Sequence, residues 1–226
     1  MKYLVLIADI DEFNPCKNSL GELVKKEYTI KHMPAFDFSY NGIDCTAVCF
    51  GIGKVNAALG AALALNECEY DGVINTGWSG AVSGVFKGDI IVSDSCVECD
   101  FDLTPIGRLP GQKPGQEDYI YKCDNILYKA ACSIEGFKHG NLGTGDFFLT
   151  DKERRDRYKE LFNISAFDME SGALAAVCYL LKVPFISIRK ISDSADDVGV
   201  EDYTTSVKTD ITAFSDIVLS VLNKLA

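Results

Sequence analysis

The stretch from Phe167 to Asp197 constrains the fold of this chain more than any other. It reads Phe167-Asp168-Met169-Glu170-Ser171-Gly172, then an apolar helix, then Val183-Pro184-Phe185-Ile186-Ser187-Ile188-Arg189-Lys190-Ile191-Ser192-Asp193. Glu170 falls where the helix begins, and Asp193 falls where a buried strand ends. A helix-plus-strand unit of about 25 residues brings the chain back near its start, so the two acids can face one cleft. Ligands of open α/β sheets bind at such carboxyl ends of strands.

The rest of the chain repeats this alternation. Residues 3–9 read as a buried strand, residues 11–18 as a loop carrying Pro15, and Leu20 to Lys26 as the opening of a short helix. Tyr28 to Phe50 alternates strand-like segments around Pro34 and Asn41-Gly42. From Lys54 onward, Val55, Ala58, Leu59, Ala62 and Leu63 recur at helical spacing and predict one apolar face. Gly72 to Asn75 is a short strand that gives way to a flexible turn, Thr76-Gly77-Trp78-Ser79-Gly80, and residues 89–93 form another strand. Residues 104–118 carry three prolines and three glycines, the longest irregular connection and of a kind that usually serves function. A helix over 124–135, a strand from Phe137 to Leu142 and a charged helix from Asp151 to Leu161 follow. Met169, Gly172, Ala173, Ala176, Val177 and Leu180 give the next helix a narrow small-residue face. Val207, Ile211, Phe214, Val218 and Leu222 mark a C-terminal helix. No linker, repeat or low-complexity segment interrupts the pattern. It predicts a single α/β domain over residues 1–226, a three-layer α/β/α arrangement around a mixed, mainly parallel sheet.

Composition removes several functions. A net charge of -11 with five arginines opposes binding to nucleic acid or to an anionic membrane. No apolar run reaches the 18 residues that would suggest a membrane span. The apolar residues near Met1 are cut short by Asp9, Asp11 and Glu12, which suits a first strand better than a signal peptide. Of nine cysteines only Cys96 and Cys99 are closely spaced, with no second pair and no neighbouring histidine, so neither a zinc site nor any other metal or cofactor is expected. The odd count suits reduced thiols in a cytoplasmic protein. His32 and His139 stand outside any ligand-spaced cluster.

Gly51-Ile52-Gly53-Lys54 follows a strand and opens a helix, but it lacks both the third glycine of a dinucleotide loop and the Lys-Ser/Thr of a phosphate loop. Its glycines let the backbone turn sharply. Taken in order, Gly51 to Ala58, Asn75-Thr76-Gly77, Gly88-Asp89-Ile90-Ile91-Val92, Asp168-Met169-Glu170 and Ile191 to Asp196 form a more specific set. With this set the chain resembles the nucleoside phosphorylase and nucleosidase superfamily over nearly its whole length. Within it, the likeness is to the 5′-methylthioadenosine/S-adenosylhomocysteine nucleosidases.

That resemblance implies hydrolysis of the bond between a purine and a 5′-thio-substituted ribose, through a transition state with oxocarbenium character. It implies that Asp193 protonates the base at N7, that Glu170 binds the ribose hydroxyls and that Glu12 activates the water. Met169 would pack on the ribose, Phe148 would stack on the base, the Leu149 backbone would bond the base edge, and Arg189 would lie at the cleft floor. Ile52, Trp78, Asp168 and Ser192 complete the expected lining. The family is usually dimeric with the partner closing the 5′ pocket, which would be the role of Leu103, Ile106 and Pro110. The implied partners are thus a small-molecule purine nucleoside and a second copy of the chain.

Two departures bear on the substrate. The family usually continues Asn-Thr-Gly with Ser-Ala-Gly-Gly, where this chain has Trp78-Ser79-Gly80-Ala81. Ala8-Asp9-Ile10-Asp11 stands where Gly-Ala-Met is common. The rival activities are a purine nucleoside phosphorylase, a futalosine-type hydrolase and a non-catalytic nucleoside-binding protein. Phosphorolysis needs a cationic cradle. Hexameric phosphorylases carry an arginine where this chain has Asn75, and no arginine precedes Arg108. Water is therefore the expected nucleophile.

Overall fold

In the computed structural model, residues 1–195, 199–209 and 213–226 are described; Asp196, Asp197 and Ile211, together with the side chain of Val207, lie outside the described residues. The first strand, β1 (Lys2–Ile7), is buried on both faces. Leu4 and Leu6 enter one core and Tyr3, Val5 and Ile7 the other, as the two-residue period of a strand requires. Beside it lie β4 (Ile43–Cys49) and β5 (Gly72–Ala81), both parallel, and β10 (Phe185–Asp193) runs parallel to β5. The hairpin of β2 (Val24–Ile30) and β3 (Met33–Tyr40) extends the β4 edge with antiparallel pairing. Asn41 and Gly42, both at positive φ, supply the two-residue turn from β3 to β4.

Beyond β10 the sheet curls. β6 (Ile90–Glu98) pairs antiparallel with β10 and parallel with β8 (Phe137–Thr144), and β7 (Ile120–Lys122) pairs with β6. From β8 the ladder passes in parallel to β9 (Ile164–Asp168), which returns antiparallel to β5. The sheet is thus mixed, parallel at its centre, and part of it closes on itself. Helices cover both faces. α1 (Ile10–Leu20), α3 (Asn125–Cys132) and α7 (Ala213–Leu225) pack on one core, and α2 (Lys54–Leu65) and α5 (Ser171–Leu181) on the other. α4 (Lys152–Phe162) starts at Asp151, whose carboxylate accepts from the Arg154 N–H, and α6 (Gly199–Thr209) packs against β10. No described helix is long and apolar enough to cross a membrane. All nine cysteines are free thiols.

Four local expectations change. The expected loop over residues 11–18 is α1. Asp9 caps it by accepting the Asp11 N–H at 3.0 Å, Asp11 and Glu12 suit its first turn, and burial of Phe13, Cys16 and Leu20 outweighs the donor lost at Pro15. The expected helix at Leu20 to Lys26 is instead a single tight turn leading into the exposed edge strand β2. Thr76 to Gly80 is not a turn but the continuation of β5, held by β10 on one side and β9 on the other. Finally, α2 buries Ala57, Gly60, Ala61 and Ala64, while Val55, Leu59 and Ala62 of the expected apolar face stand exposed. Small residues face inward there because α2 lies close against α5 and against Phe50 just after β4, which leaves no room for a Cβ at position 60.

Candidate active site

The carboxyl ends of β1, β5, β9 and β10 meet beside the turn after β8, and a cleft of about 270 Å³ opens there. Glu12, Ile52, Trp78, Phe148, Leu149, Asp168, Met169, Glu170, Ser192 and Asp193 all line it. Residues widely separated along the chain are thereby gathered at one place. Arg189 lies beneath the lining, fully buried. Leu103, Ile106 and Pro110 do not line the cleft of their own chain; Ile106 is exposed and Pro110 borders a separate groove beside α4.

The floor is a closed set of ion pairs. The Arg189 guanidinium donates through Nε to Asp168 Oδ2 at 2.9 Å and through Nη2 to Glu170 Oε2 at 3.0 Å. Asp168 Oδ1 accepts three further bonds, from the Thr144 hydroxyl at 2.7 Å and from the Glu170 and Ser171 N–H groups at 3.1 and 3.0 Å. These fix the start of α5 and so the position of Glu170. The other Glu170 oxygen, Oε1, accepts the Gly53 N–H at 3.1 Å, which explains the sharp Gly51–Gly53 turn: both glycines sit at φ 94°. Burial opposes the Arg189 charge, yet Asp168, Glu170 and Glu12 hold its pKa above the usual arginine value. Burial pushes the Glu170 carboxyl up, with Arg189 pulling against it.

The wall beside Trp78 is different. Glu12 is buried in the first turn of α1; its Oε1 accepts the Trp78 N–H at 3.1 Å, and its Oε2 has no hydrogen-bond partner. Burial raises the Glu12 carboxyl to about 8, against the lowering effects of Arg189 and the Trp78 N–H. The Trp78 ring packs edge-on against Phe214 of α7, with centroids 5.1 Å apart. At the carboxyl end of the neighbouring strand β10, Asp193 Oδ2 accepts the Ser192 hydroxyl at 2.6 Å and Oδ1 accepts the Ala195 N–H at 2.8 Å.

Several contributors escaped the sequence reading. Gly77 lies inside β5, where a Cβ would overlap Arg189 Nη1 and come within 3.0 Å of Glu12 Oε2; a glycine within a strand is the available signal for such an approach. Gly80 plays the same part for Asp193, whose Oδ1 would lie 2.8 Å from an added Cβ. Ser79, Phe147 and Tyr203 also line the cleft, and Tyr203 meets Phe148 edge-on at 5.5 Å. Asn75 is a correction of another kind. It is fully buried in β5, bonded to the Leu6 carbonyl and the Ser187 hydroxyl, and does not face the cleft, so its identity says nothing there about phosphate. The lining itself bears on the question. It holds five acids, Asp9, Glu12, Asp168, Glu170 and Asp193, and no lysine, arginine or histidine among the described residues.

A cleft of this size at the strand ends of a mixed α/β sheet, with apolar walls and buried acids among them, suits a small molecule with both apolar and polar parts. Residues 2–223 match the family model of the Phosphorylase superfamily, and the chain belongs to that family. It is 33% identical over its full length to a 5′-methylthioadenosine/S-adenosylhomocysteine nucleosidase of Geobacillus sp., covering 99% of that protein. Among solved structures it is similar to the 5′-methylthioadenosine/S-adenosylhomocysteine nucleosidase of Neisseria meningitidis in complex with methylthio-immucillin-A, with 29% identity, a TM-score of 0.89 and 98% of each chain covered. A futalosine hydrolase mutant of Helicobacter pylori shares the fold, with a TM-score of 0.92 at 22% identity over 99% of each chain.

Proposed function

We propose that this protein hydrolyses the N-glycosidic bond of a purine nucleoside, 5′-methylthioadenosine or S-adenosylhomocysteine, releasing adenine and the thioribose. The observation that carries the reading is a cleft lined by acids without a cation, in which one buried carboxylate oxygen, Glu12 Oε2, is unpartnered. Phosphate would meet repulsion there, whereas water would meet a base. Asp193 gives its proton to N7, so that the purine leaves neutral as positive charge develops on the sugar. Glu12 takes the proton of the attacking water. Glu170 accepts from the ribose hydroxyls, held in place by Arg189 and Gly53. Asp168, with both oxygens engaged, acts on the substrate by fixing Arg189 and Glu170. Met169 packs on the ribose, Phe148 on the base, and the Leu149 backbone meets the base edge. Ile52, Trp78 and Ser192 close the sides.

The active form in this reading is a homodimer. Val55 and Leu59 on α2 and Leu180 and Leu181 on α5 leave exposed apolar side chains on two helices packed side by side. Leu103, Ile106 and Pro110 would then close the 5′ side of the partner's cleft. The test is release of free adenine from methylthioadenosine with and without inorganic phosphate. Equal rates support hydrolysis, strict phosphate dependence means a phosphorylase, and no turnover of any purine nucleoside means a binding protein.

A further inference from the structure

The start of α2 is held by bonds that the proposed reaction does not use. Gly53, the residue before the helix, has no side chain to cap it. Carboxylates from other segments take the two successive N–H groups instead. The Gly53 N–H goes to Glu170 Oε1 at 3.1 Å, in the cleft lining. The Lys54 N–H goes to Asp146 Oδ1 at 2.8 Å, outside it.

Lys54 then closes a ring. Its ammonium donates to Asp100 Oδ1 at 2.7 Å, and Asp100 Oδ2 accepts the Asp146 N–H at 3.0 Å. With the Lys54 N–H on Asp146, three bonds join the start of α2, the turn after β6 and the turn after β8. The same ammonium reaches Glu98 Oε2 at 3.2 Å, and Glu98 Oε1 accepts Lys113 from the long 104–118 connection. The side chains of Lys54, Glu98 and Asp100 are only 17%, 10% and 22% exposed. Charges drawn that far out of water recover little net stability from pairing, so fixing one geometry is the better account of them. The geometry fixed here is that of the Gly53–Lys54 peptide. Gly53 stands at φ 94°, and a Cβ there would lie 3.2 Å from Asp146 Oδ1. Glu170 has its other oxygen on Arg189, so the Gly53 N–H sets the rotation of its carboxylate.

We infer that Lys54 is a positioning residue: through its ring with Asp100 and Asp146 it fixes the Gly53 N–H, and with it the carboxylate of Glu170 that receives the ribose hydroxyls. This rests on the ribose role proposed for Glu170 and adds a residue outside the cleft to it. The experiment measures kcat/KM for methylthioadenosine and for its 2′,3′-dideoxy analogue in the parent and in Lys54→Met, which keeps most of the stem and drops the charge. The expected result is a loss of about ten- to a hundredfold on methylthioadenosine, the scale of a misplaced binding group, and a change within about threefold on the dideoxy compound. General loosening of the fold would lower both alike, so equal losses overturn the assignment, as does no loss on either. Should Lys54→Met fail to fold, Asp100→Asn breaks the same ring from its other side and carries the same comparison. Calorimetric affinities for the two compounds replace rates wherever the parent does not cleave one of them. A parent that cleaves neither defeats the hydrolase reading alone. Selective weakening of methylthioadenosine binding in the variant then still supports the role of Lys54, and equal weakening, no weakening or a parent that binds neither compound overturns it.

Discussion

Two groups of buried acids face the same cleft, and they are held in opposite ways. On the floor, Asp168 and Glu170 have every oxygen engaged, by Arg189, Thr144 and backbone N–H groups. On the wall, Glu12 has one oxygen on the Trp78 N–H and one on nothing. A carboxylate engaged at both oxygens is fixed in position, and Glu170 so held offers its remaining lone pairs to the ribose hydroxyls in the proposed reaction. A half-satisfied one retains the capacity to take a proton from another molecule, at the expense of a strongly raised pKa. Exposure alone would not separate the two groups, because Glu12, Asp168 and Glu170 are all buried. The hydrogen-bond inventory does.

If that contrast holds, loss of Asp193 or Glu12 costs activity, whereas loss of Arg189, which binds the floor together, costs stability. Asp193→Asn and Glu12→Gln should each lower kcat by roughly 10²–10⁴-fold, the range for loss of a general acid or base, with the melting temperature little changed. Retained turnover of methylthioadenosine in either variant would remove that residue from the chemistry. Arg189→Met, in contrast, leaves Asp168 and Glu170 as uncompensated buried charges and should destabilise the fold by about 3–5 kcal/mol in urea unfolding. A stable Arg189→Met protein would show that Arg189 does not bind the floor together.

The pH dependence sharpens the same point. With its carboxyl at about 8 in the folded state against 4.5 as its ordinary value, Glu12 holds a proton after folding that the unfolded chain has lost. Its contribution to stability is full below about 4.5 and is lost as pH rises towards 8. Glu12→Gln should flatten the stability profile across that window. kcat/KM of the parent should rise with pH up to about 8, because the base must be ionised in the free enzyme. A profile flat from 5 to 8 in both measurements would contradict this environment for Glu12. A smaller effect is expected at α2, where Leu59→Asp should turn a dimer into a monomer by sedimentation without unfolding the chain, since Leu59 is half exposed. An unchanged oligomer would move the interface elsewhere.

Much of this architecture was legible in the residues themselves, because its signals are local. The Asn41-Gly42 turn, the Asp151 cap, the order of strands and helices and the acids flanking the α5–β10 unit all follow from turn chemistry, capping and periodicity. The ordered motifs contain Glu170 and Asp193, and the family they resemble implies Glu12. What remained hidden is non-local. Pro15 argued against α1 until the cores that bury Phe13, Cys16 and Leu20 were in place. Glycine-rich Thr76 to Gly80 looked like a turn, but neighbouring strands hold it as strand, and its glycines make room for Arg189, Glu12 and Asp193.

The faces of α2 were reversed for the same reason. Periodicity locates an apolar stripe, whereas the close approach of α5 and of Phe50 decides which stripe must be alanine and glycine. Residue order says which acids exist and where they fall along the chain. Which of them become saturated depends on packing, because a carboxylate's partners, and therefore its proton, come from segments up to 117 residues away.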